Sequence, residues 1–348
     1  MLKKVFFGFC LILIILLGLG VSYLSFFKSS EKRYSKIICY YVARSLTDDS
    51  DNFNGKIASI RSFVHENVLP IHAYPNKLDV LALEKLLSGI GWCDQQARVF
   101  MQLARSIGVT TRLLFLRAES GASPHSIAEA LAPDGRWVIV DVGNNLDLIN
   151  KKGKPATQTD IKEDLGIITE NDRVKAYAKS QKLWHDPAYI SMYYNPPAYV
   201  VVKEGSRVDF LKFVPRSILK PIVAIITYKY LERIKPDIKN DYEFKMIKAR
   251  ILELLEYFDK SEALYADIIE NSEDLLLVRR AEYYRALLLY GRKRYEEAYN
   301  FITNVLAKDE NNPYSMYLYS LRARVLKGMG RPKEAGEDLK KIEYSLDA

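Results

Sequence analysis

The sequence predicts an α+β protein in three parts: an apolar amino-terminal helix, a core in which a helix packs on an antiparallel sheet, and a carboxy-terminal array of helices. Three observations predict this organisation. Residues 5–27 carry no charged side chain, hydrophobic residues change from a helical to an alternating pattern after Gly108, and apolar positions recur every 37 residues after residue 240. The predicted segments are 1–36, 37–200, 201–240 and 241–348.

The composition excludes several classes of protein. A chain of 348 residues that is 49% hydrophobic and 27% charged can bury real cores, so it is not disordered throughout. It has three cysteines, and one of them, Cys10, lies within the apolar run. Neither a disulfide framework nor a four-cysteine metal site fits this count, whereas a single reactive thiol does.

The net charge of +8 is concentrated beside apolar sequence. Residues 1–36 carry six Lys or Arg against one Asp or Glu, and residues 201–240 carry nine against four. This placement favours a membrane surface as the partner, and we find no nucleic-acid-binding motif.

The amino-terminal segment has the length of a membrane anchor. Its 23 uncharged residues, 5–27, would form a helix of about 34 Å, enough to cross the hydrocarbon core. The run continues into Tyr23, Phe26 and Phe27 and lacks a small-residue cleavage site, so we expect a retained single-pass anchor rather than a cleaved signal peptide. We expect an extracytoplasmic catalytic domain, although positive charges on both flanks leave the orientation open.

The middle of the chain predicts a helix that begins at a cysteine. Helical patterns cover residues 54–69 and 78–87, and a third begins at Cys93 and ends at Gly108. At the first turn of a helix, free N–H groups and the helix dipole stabilise a thiolate. Cys93 is therefore a candidate nucleophile.

Three strand-like runs follow this helix, at 109–117, 123–131 and 136–142. The last two are joined by Pro-Asp-Gly at 133–135, which predicts a three-residue hairpin connection. If Ala132 pairs with Arg136, His125 and Asp141 become diagonal neighbours on one face of the sheet.

A cysteine nucleophile requires a base to accept its proton, and the base requires a carboxylate to orient it. We predict Cys93 as the nucleophile, His125 as the base and Asp141 as the orienting carboxylate. Each residue alone has a structural explanation, but their joint placement favours catalysis. His65, His72 and His185 have no ligand pattern around them, so we predict no metal and no cofactor.

These motifs resemble the transglutaminase-like superfamily, whose core is a cysteine-bearing helix packed on an antiparallel sheet that bears His and Asp. The resemblance departs from the family pattern at Ile127 and at Val142. The matching stretches are 63–68, 91–109, 125–130 and 135–141, within residues 54–150.

The resemblance implies acyl transfer through a thioester on Cys93, from a side-chain amide, a peptide bond or another amide to water or an amine. The substrate is expected to be a protein or peptide. The Cys93 backbone N–H would donate to the oxyanion, with Trp92 or Gln95 as candidates for the second donor. The aromatic segment 190–194 either packs in the core, which we favour, or lines the cleft.

The carboxy-terminal repeat predicts three helical hairpins. The pattern resembles the tetratricopeptide repeat, lengthened by three residues and without its Trp, and predicts an α-solenoid. Such an array either binds a protein partner or packs only on the catalytic domain. The repeated positions are Ala249, Ala286 and Ala323; Leu252, Leu289 and Leu326; Phe258, Tyr295 and Pro332; Ser261, Ala298 and Ala335; Tyr265, Ile302 and Leu339; and Ile268, Val305 and Ile342.

The sequence thus predicts a membrane-anchored thiol enzyme that cleaves or transfers an amide acyl group. The alternative is a catalytically silent scaffold that gathers partners at a membrane. Within the linker, residues 210–235 are predicted either to contact the membrane surface or to form a buried linker helix.

Overall fold

The computed structural model describes residues 31–47, 52–71, 82–117, 125–170, 192–193, 198–200, 214–234, 241–309 and 312–345. The predicted anchor at 5–27 lies outside these residues. No helix in the described part of the chain is both long and apolar enough to span a membrane.

Four helices precede the sheet in the described chain. The Asn52 side chain accepts a hydrogen bond from the Gly55 N–H and caps the second of them. The predicted helical pattern from 54 to 69 and the predicted helix start at Cys93 are both confirmed. The helices are α1 (Glu31–Leu46), α2 (Phe53–Asn67), α3 (Ala82–Ser88) and α4 (Cys93–Ser106).

The sheet follows α4, and its described strands pair in the antiparallel order β3-β2-β1-β4. Between the third and fourth strands, the described residues form two short helices. The strands are β1 (Thr111–Leu116), β2 (His125–Leu131), β3 (Trp137–Val140) and β4 (Ala198–Val200), and the helices are α5 (Gln158–Glu163) and α6 (Gly166–Thr169).

The register of the β2–β3 hairpin is the predicted one. The Ala132 N–H donates to the Arg136 carbonyl at 2.8 Å, and Ala128 lies opposite Val140. The ladder ends there, so Asp141 follows the last residue of β3. The hairpin therefore places His125 and Asp141 at the same end of the sheet.

The core of this domain lies between α4 and its neighbours. α4 packs on β1 and β2 on one side and on α1, α2 and α3 on others. Phe100, Leu103 and Ala104 of α4 are completely buried within one apolar cluster. Because α4 is central, the position of its first residue depends on most of the domain.

The linker forms helix α7 (Arg216–Ile234), which packs on α1. Leu219, Val223 and Tyr230 are completely buried there, as the linker-helix alternative predicts. Ile218 and Ile225 are about half exposed on the outer face, at 46% and 51%, so a membrane contact at this face stays a prediction. Residues 210–213 and 235 lie outside the described chain.

Six helices form three consecutive hairpins in residues 241–309 and 312–345. Their turns share one geometry, because Glu256, Lys293 and Gly330 all have positive φ, at 61°, 59° and 76°, and are spaced at the predicted 37-residue period. The helices are α8 (Asp241–Leu254), α9 (Phe258–Asn271), α10 (Leu275–Gly291), α11 (Tyr295–Lys308), α12 (Ser315–Gly328) and α13 (Pro332–Ser345).

The small residues of the repeat lie where the helices of each hairpin cross. Ala249 and Ala286 are completely buried, and so are Ser261 and Ala298. The Ser261 hydroxyl donates to the Ala249 carbonyl at 2.9 Å. Side chains of this size allow two helices to approach closely, so the repeat in the sequence is a repeat of helix contacts.

Candidate active site

Cys93 is the first residue of α4. The Gln95 side-chain oxygen accepts the Trp92 backbone N–H at 3.0 Å and closes the first turn of the helix. Gln95 is buried, and this bond gives its side-chain oxygen a capping role. The half-buried Cys93 thiol lies at the positive end of the helix dipole.

The structure brings His125 and Asp141 into direct contact. The His125 Nε2 atom lies 3.1 and 3.0 Å from the two carboxylate oxygens of Asp141. Both residues are buried, and Asp141 is completely inaccessible to solvent. With the carboxylate at Nε2, Nδ1 is the ring nitrogen that faces away from Asp141.

The thiol of Cys93 completes the arrangement. Its side chain is hydrogen-bonded to the His125 ring and accepts the backbone N–H of Ser126. Burial opposes ionisation of the thiol, but the hydrogen bond and charge of His125 outweigh burial and lower the Cys93 pKa. The geometry thus favours a thiolate beside an imidazolium.

The two partners of His125 shift its ionisation in the same direction. Burial disfavours the imidazolium, yet the charge and hydrogen bond of Asp141 prevail and raise the pKa of His125 to about 10. The Asp141 carboxyl is buried too, but the charge of His125 and several hydrogen bonds keep its pKa far below the ordinary value. Asp141 is therefore an anion that stabilises the charged form of His125.

Asp141 has two further partners that the sequence motifs do not identify. The Tyr193 hydroxyl donates to its Oδ2 atom at 2.6 Å, and Asn144 donates its backbone N–H to Oδ1 and its side-chain amide to Oδ2, both at 3.0 Å. Asn144 lies two residues after Val142, one of the positions at which the sequence departs from the family pattern. Tyr193 belongs to the aromatic segment 190–194, and it is completely buried against the triad.

The loop after Asp141 is held by α2. The buried guanidinium of Arg61 donates to the Asn145 side chain and to the Leu146 carbonyl, both at 2.8 Å, and pairs with Asp147. Gly143 lies so close to His125 that an added Cβ would be 3.1 Å from the ring Cε1 atom. A side chain at this position would displace the imidazole.

Two other carboxylates of this region, Asp147 and Glu129, have partners other than His125. Asp147 pairs with Arg61 and is exposed, while Glu129 is paired with Arg112 on the sheet. Within the described chain, no cluster of His, Cys, Asp and Glu is arranged to hold a metal ion. The His65 ring contacts the Val142 carbonyl, whereas His72 and His185 lie outside the described residues.

The site thus combines a helix-start thiol, an imidazole and a buried carboxylate in one hydrogen-bonded line. This arrangement is typical of cysteine acyltransferases and hydrolases. Comparison with protein families finds a match in this region of the chain. Residues 40–142 match the transglutaminase-like superfamily.

This transglutaminase-like domain contains Cys93, His125 and Asp141. It spans the last part of α1, the helices α2, α3 and α4, and the strands β1 to β3. No family match covers the carboxy-terminal helices. Curated proteins and solved structures give no match to the chain. A transglutaminase-like domain is consistent with cysteine-based acyl transfer or hydrolysis, although some members of the superfamily are inactive.

Proposed function

We propose that this protein cleaves or transfers an amide acyl group of a protein or peptide through a thioester on Cys93. The observation that carries the proposal is the continuous contact from the Cys93 thiol through His125 to the buried carboxylate of Asp141. His125 acts as the base and proton carrier, and Asp141 orients its ring. Tyr193 and Asn144 position Asp141.

In the first half of the reaction, the Cys93 thiolate attacks the carbonyl carbon of the amide. A carbon–sulfur bond forms, and negative charge develops on the carbonyl oxygen, where the Cys93 backbone N–H can donate. The carbon–nitrogen bond then breaks as the His125 imidazolium transfers its proton to the departing amine. The products are a free amine and an acyl thioester on Cys93.

In the second half, water or an amine attacks the thioester. The neutral His125 ring accepts the proton of the attacking group, the carbon–sulfur bond breaks, and the thiolate–imidazolium pair is restored. Hydrolysis and transamidation differ only in the group that attacks. The raised pKa of His125 favours recovery of the charged pair after each cycle.

The proposal is tested by trapping the acyl-enzyme. The purified chain is mixed with an activated aryl acetate, quenched in acid and digested, and the peptides are analysed by mass spectrometry. We expect one acetyl group on the peptide that carries Cys93, none there in Cys93→Ala, and an unchanged level in Cys39→Ala. Absence of the acetyl group on Cys93 in the wild-type chain would support the alternative of a catalytically silent scaffold.

We also propose, from the sequence alone, that residues 5–27 attach the protein to a membrane. We propose likewise, from the repeat pattern, that the carboxy-terminal hairpins are similar to tetratricopeptide repeats. Alkaline carbonate extraction of cell membranes tests the anchor, with a chain that begins at residue 37 as the control. We expect the full chain to stay in the membrane pellet, and its release into the supernatant would overturn the anchor.

A further inference from the structure

The segment that leads into Cys93 is part of a short backbone pairing. The Leu69 N–H donates to the Gly89 carbonyl at 2.9 Å, and the Gly91 N–H donates to the Leu69 carbonyl at 3.0 Å. Cys93 follows Gly91 by two residues. The position of the thiol therefore depends on where this pairing lies.

The pairing is in turn contacted by Tyr284 of α10. The buried Tyr284 hydroxyl lies 3.0 Å from the Asn67 carbonyl and 3.1 Å from the Gly89 carbonyl, so it joins the two segments that pair. Gly89 has a φ of +71°, and an added Cβ would lie 1.8 Å from the Tyr284 hydroxyl oxygen. Only glycine fits beside this phenol.

A buried arginine supports the same contact. Arg250 of α8 is completely buried and donates to the Asn67 side-chain oxygen at 2.7 Å. Its guanidinium lies 3.9 Å above the Tyr284 ring and pairs with Glu253 at 2.8 Å. A buried charge is costly unless it is paired and hydrogen-bonded, so Arg250 depends on both the catalytic domain and its own hairpin.

All three hairpins contribute to this interface through their first helices. The Tyr283 hydroxyl donates to the Glu66 carbonyl at 2.9 Å, and Arg280 donates to the Ser88 carbonyl at 3.4 Å. Arg324 of α12 pairs with the Glu66 side chain. The first helices of the array thus pack on the ends of α2 and α3, the segments that pair beside Cys93.

We propose that Tyr284, supported by Arg250, is a positioning residue for Cys93, so that the carboxy-terminal hairpins form part of the working active site. The path runs from the Tyr284 hydroxyl to Gly89, through the Leu69 pairing to Gly91, and from there to the first turn of α4. This inference rests on the proposed function, because it concerns how the reactive thiol is placed.

The experiment measures the alkylation rate of Cys93 by iodoacetamide as a function of pH, in the full chain, by mass spectrometry of its peptide. In Tyr284→Phe the hydroxyl is lost, and we expect the thiol to move away from His125. The pH profile then shifts upward by about one unit, which lowers the rate about tenfold at a pH below the thiol pKa, since the thiolate fraction there falls about tenfold for each pKa unit.

Tyr295→Phe is the control. Tyr295 lies in α11, the second helix of its hairpin, and its ring packs on Tyr290 with 5.9 Å between ring centroids and against Gly328 of α12. We expect an unchanged Cys93 profile in this variant. Tyr283→Phe, which loses one bond to the Glu66 carbonyl, is expected to shift the profile in the same direction by less, and it replaces Tyr284→Phe if that variant does not fold.

An unchanged profile in the folded test variant, or an equal shift in Tyr295→Phe, would overturn the inference. A wild-type chain in which Cys93 does not react at any pH would instead overturn the proposed function. The two failures are therefore distinguished by the wild-type profile.

Discussion

Cys39 and Cys93 lie on α1 and α4, two helices that pack against each other. Their surroundings shift the pKa values of the two thiols in opposite directions. Cys39 is in the middle of a helix, 1% exposed, and burial raises its pKa to about 12. Cys93 is also largely removed from water, yet its pKa is lowered. Burial alone therefore does not decide the reactivity of a thiol.

The surroundings of Cys39 and Cys93 differ in the charged groups that lie next to each thiol. Around Cys39 the neighbours are apolar, and its one polar side-chain partner is Ser35. Cys93 has the start of a helix and the His125 ring, whose charge is maintained by Asp141. The comparison indicates that the reactivity of Cys93 depends on the charge of His125, and that this charge depends in turn on the Asp141 carboxylate.

Neutralising Asp141 is expected to have the largest effect. In Asp141→Asn the His125 ring loses its anionic partner, so we expect turnover of the activated ester to fall on the order of 10³–10⁴-fold while the fold is retained. Asp147→Asn is the control, since this exposed carboxylate contacts Arg61 and not His125. Full activity in Asp141→Asn, with Cys93→Ala inactive, would transfer the orienting role to another carboxylate.

Removing the Tyr193 hydroxyl is expected to have a smaller effect on the same charged groups. Tyr193→Phe deletes one hydrogen bond to the Asp141 carboxylate, so the Asp141 pKa rises and the carboxylate is held less firmly in position beside His125. We expect turnover to fall about tenfold, consistent with the loss of one hydrogen bond to a charged group. Turnover of the activated ester measures this loss, and full activity in Tyr193→Phe would exclude Tyr193 from this role.

The pH dependence of stability tests the charge on His125. Its pKa of about 10 in the folded protein exceeds the ordinary value of 6.5, so the stabilisation is complete below about pH 6.5 and is lost as the pH rises toward 10. In the Cys93→Ala background we expect Tm to fall between pH 7 and 10, by about 2–4 °C for each kcal/mol lost. Adding His125→Gln should remove this contribution, and an identical slope would contradict it.

The smallest effect is expected at Cys39. Cys39→Ala shortens a buried side chain and is expected to lower the free energy of unfolding by about 1 kcal/mol. Because Cys39 contacts none of the ionised groups, acetylation of Cys93 should be unchanged. Chemical denaturation and the trapping assay measure the two quantities, and a loss of acetylation without unfolding would contradict the separation of the two thiols.

Much of the site could be predicted from the sequence because local patterns determine it. The hairpin at 133–135 sets the register that joins His125 to Asp141, and the pattern that ends at Gly108 places Cys93 at a helix start. The 37-residue period likewise identifies the hairpin turns. Each of these signals lies within a few turns or one hairpin of the residues that it places.

The parts that the sequence does not predict are contacts between distant segments. Tyr193 reaches Asp141 across 52 positions, and Tyr284 reaches Gly89 across 195. Neither tyrosine stands in a motif, and a buried tyrosine is usually core packing. A glycine with positive φ at position 89 was a weak signal, because the sequence does not reveal which side chain fills the space beside it.

The measurement that tests the account most directly is the alkylation of both cysteines in one sample, across the pH range, by iodoacetamide and mass spectrometry. At a pKa of about 12, only about one part in 10⁵ of the Cys39 thiol is ionised at pH 7, whereas Cys93 is expected to react well below the ordinary thiol pKa. We therefore expect Cys93 to be alkylated orders of magnitude faster than Cys39 at neutral pH. Faster alkylation of Cys39 in the folded chain would contradict this expectation.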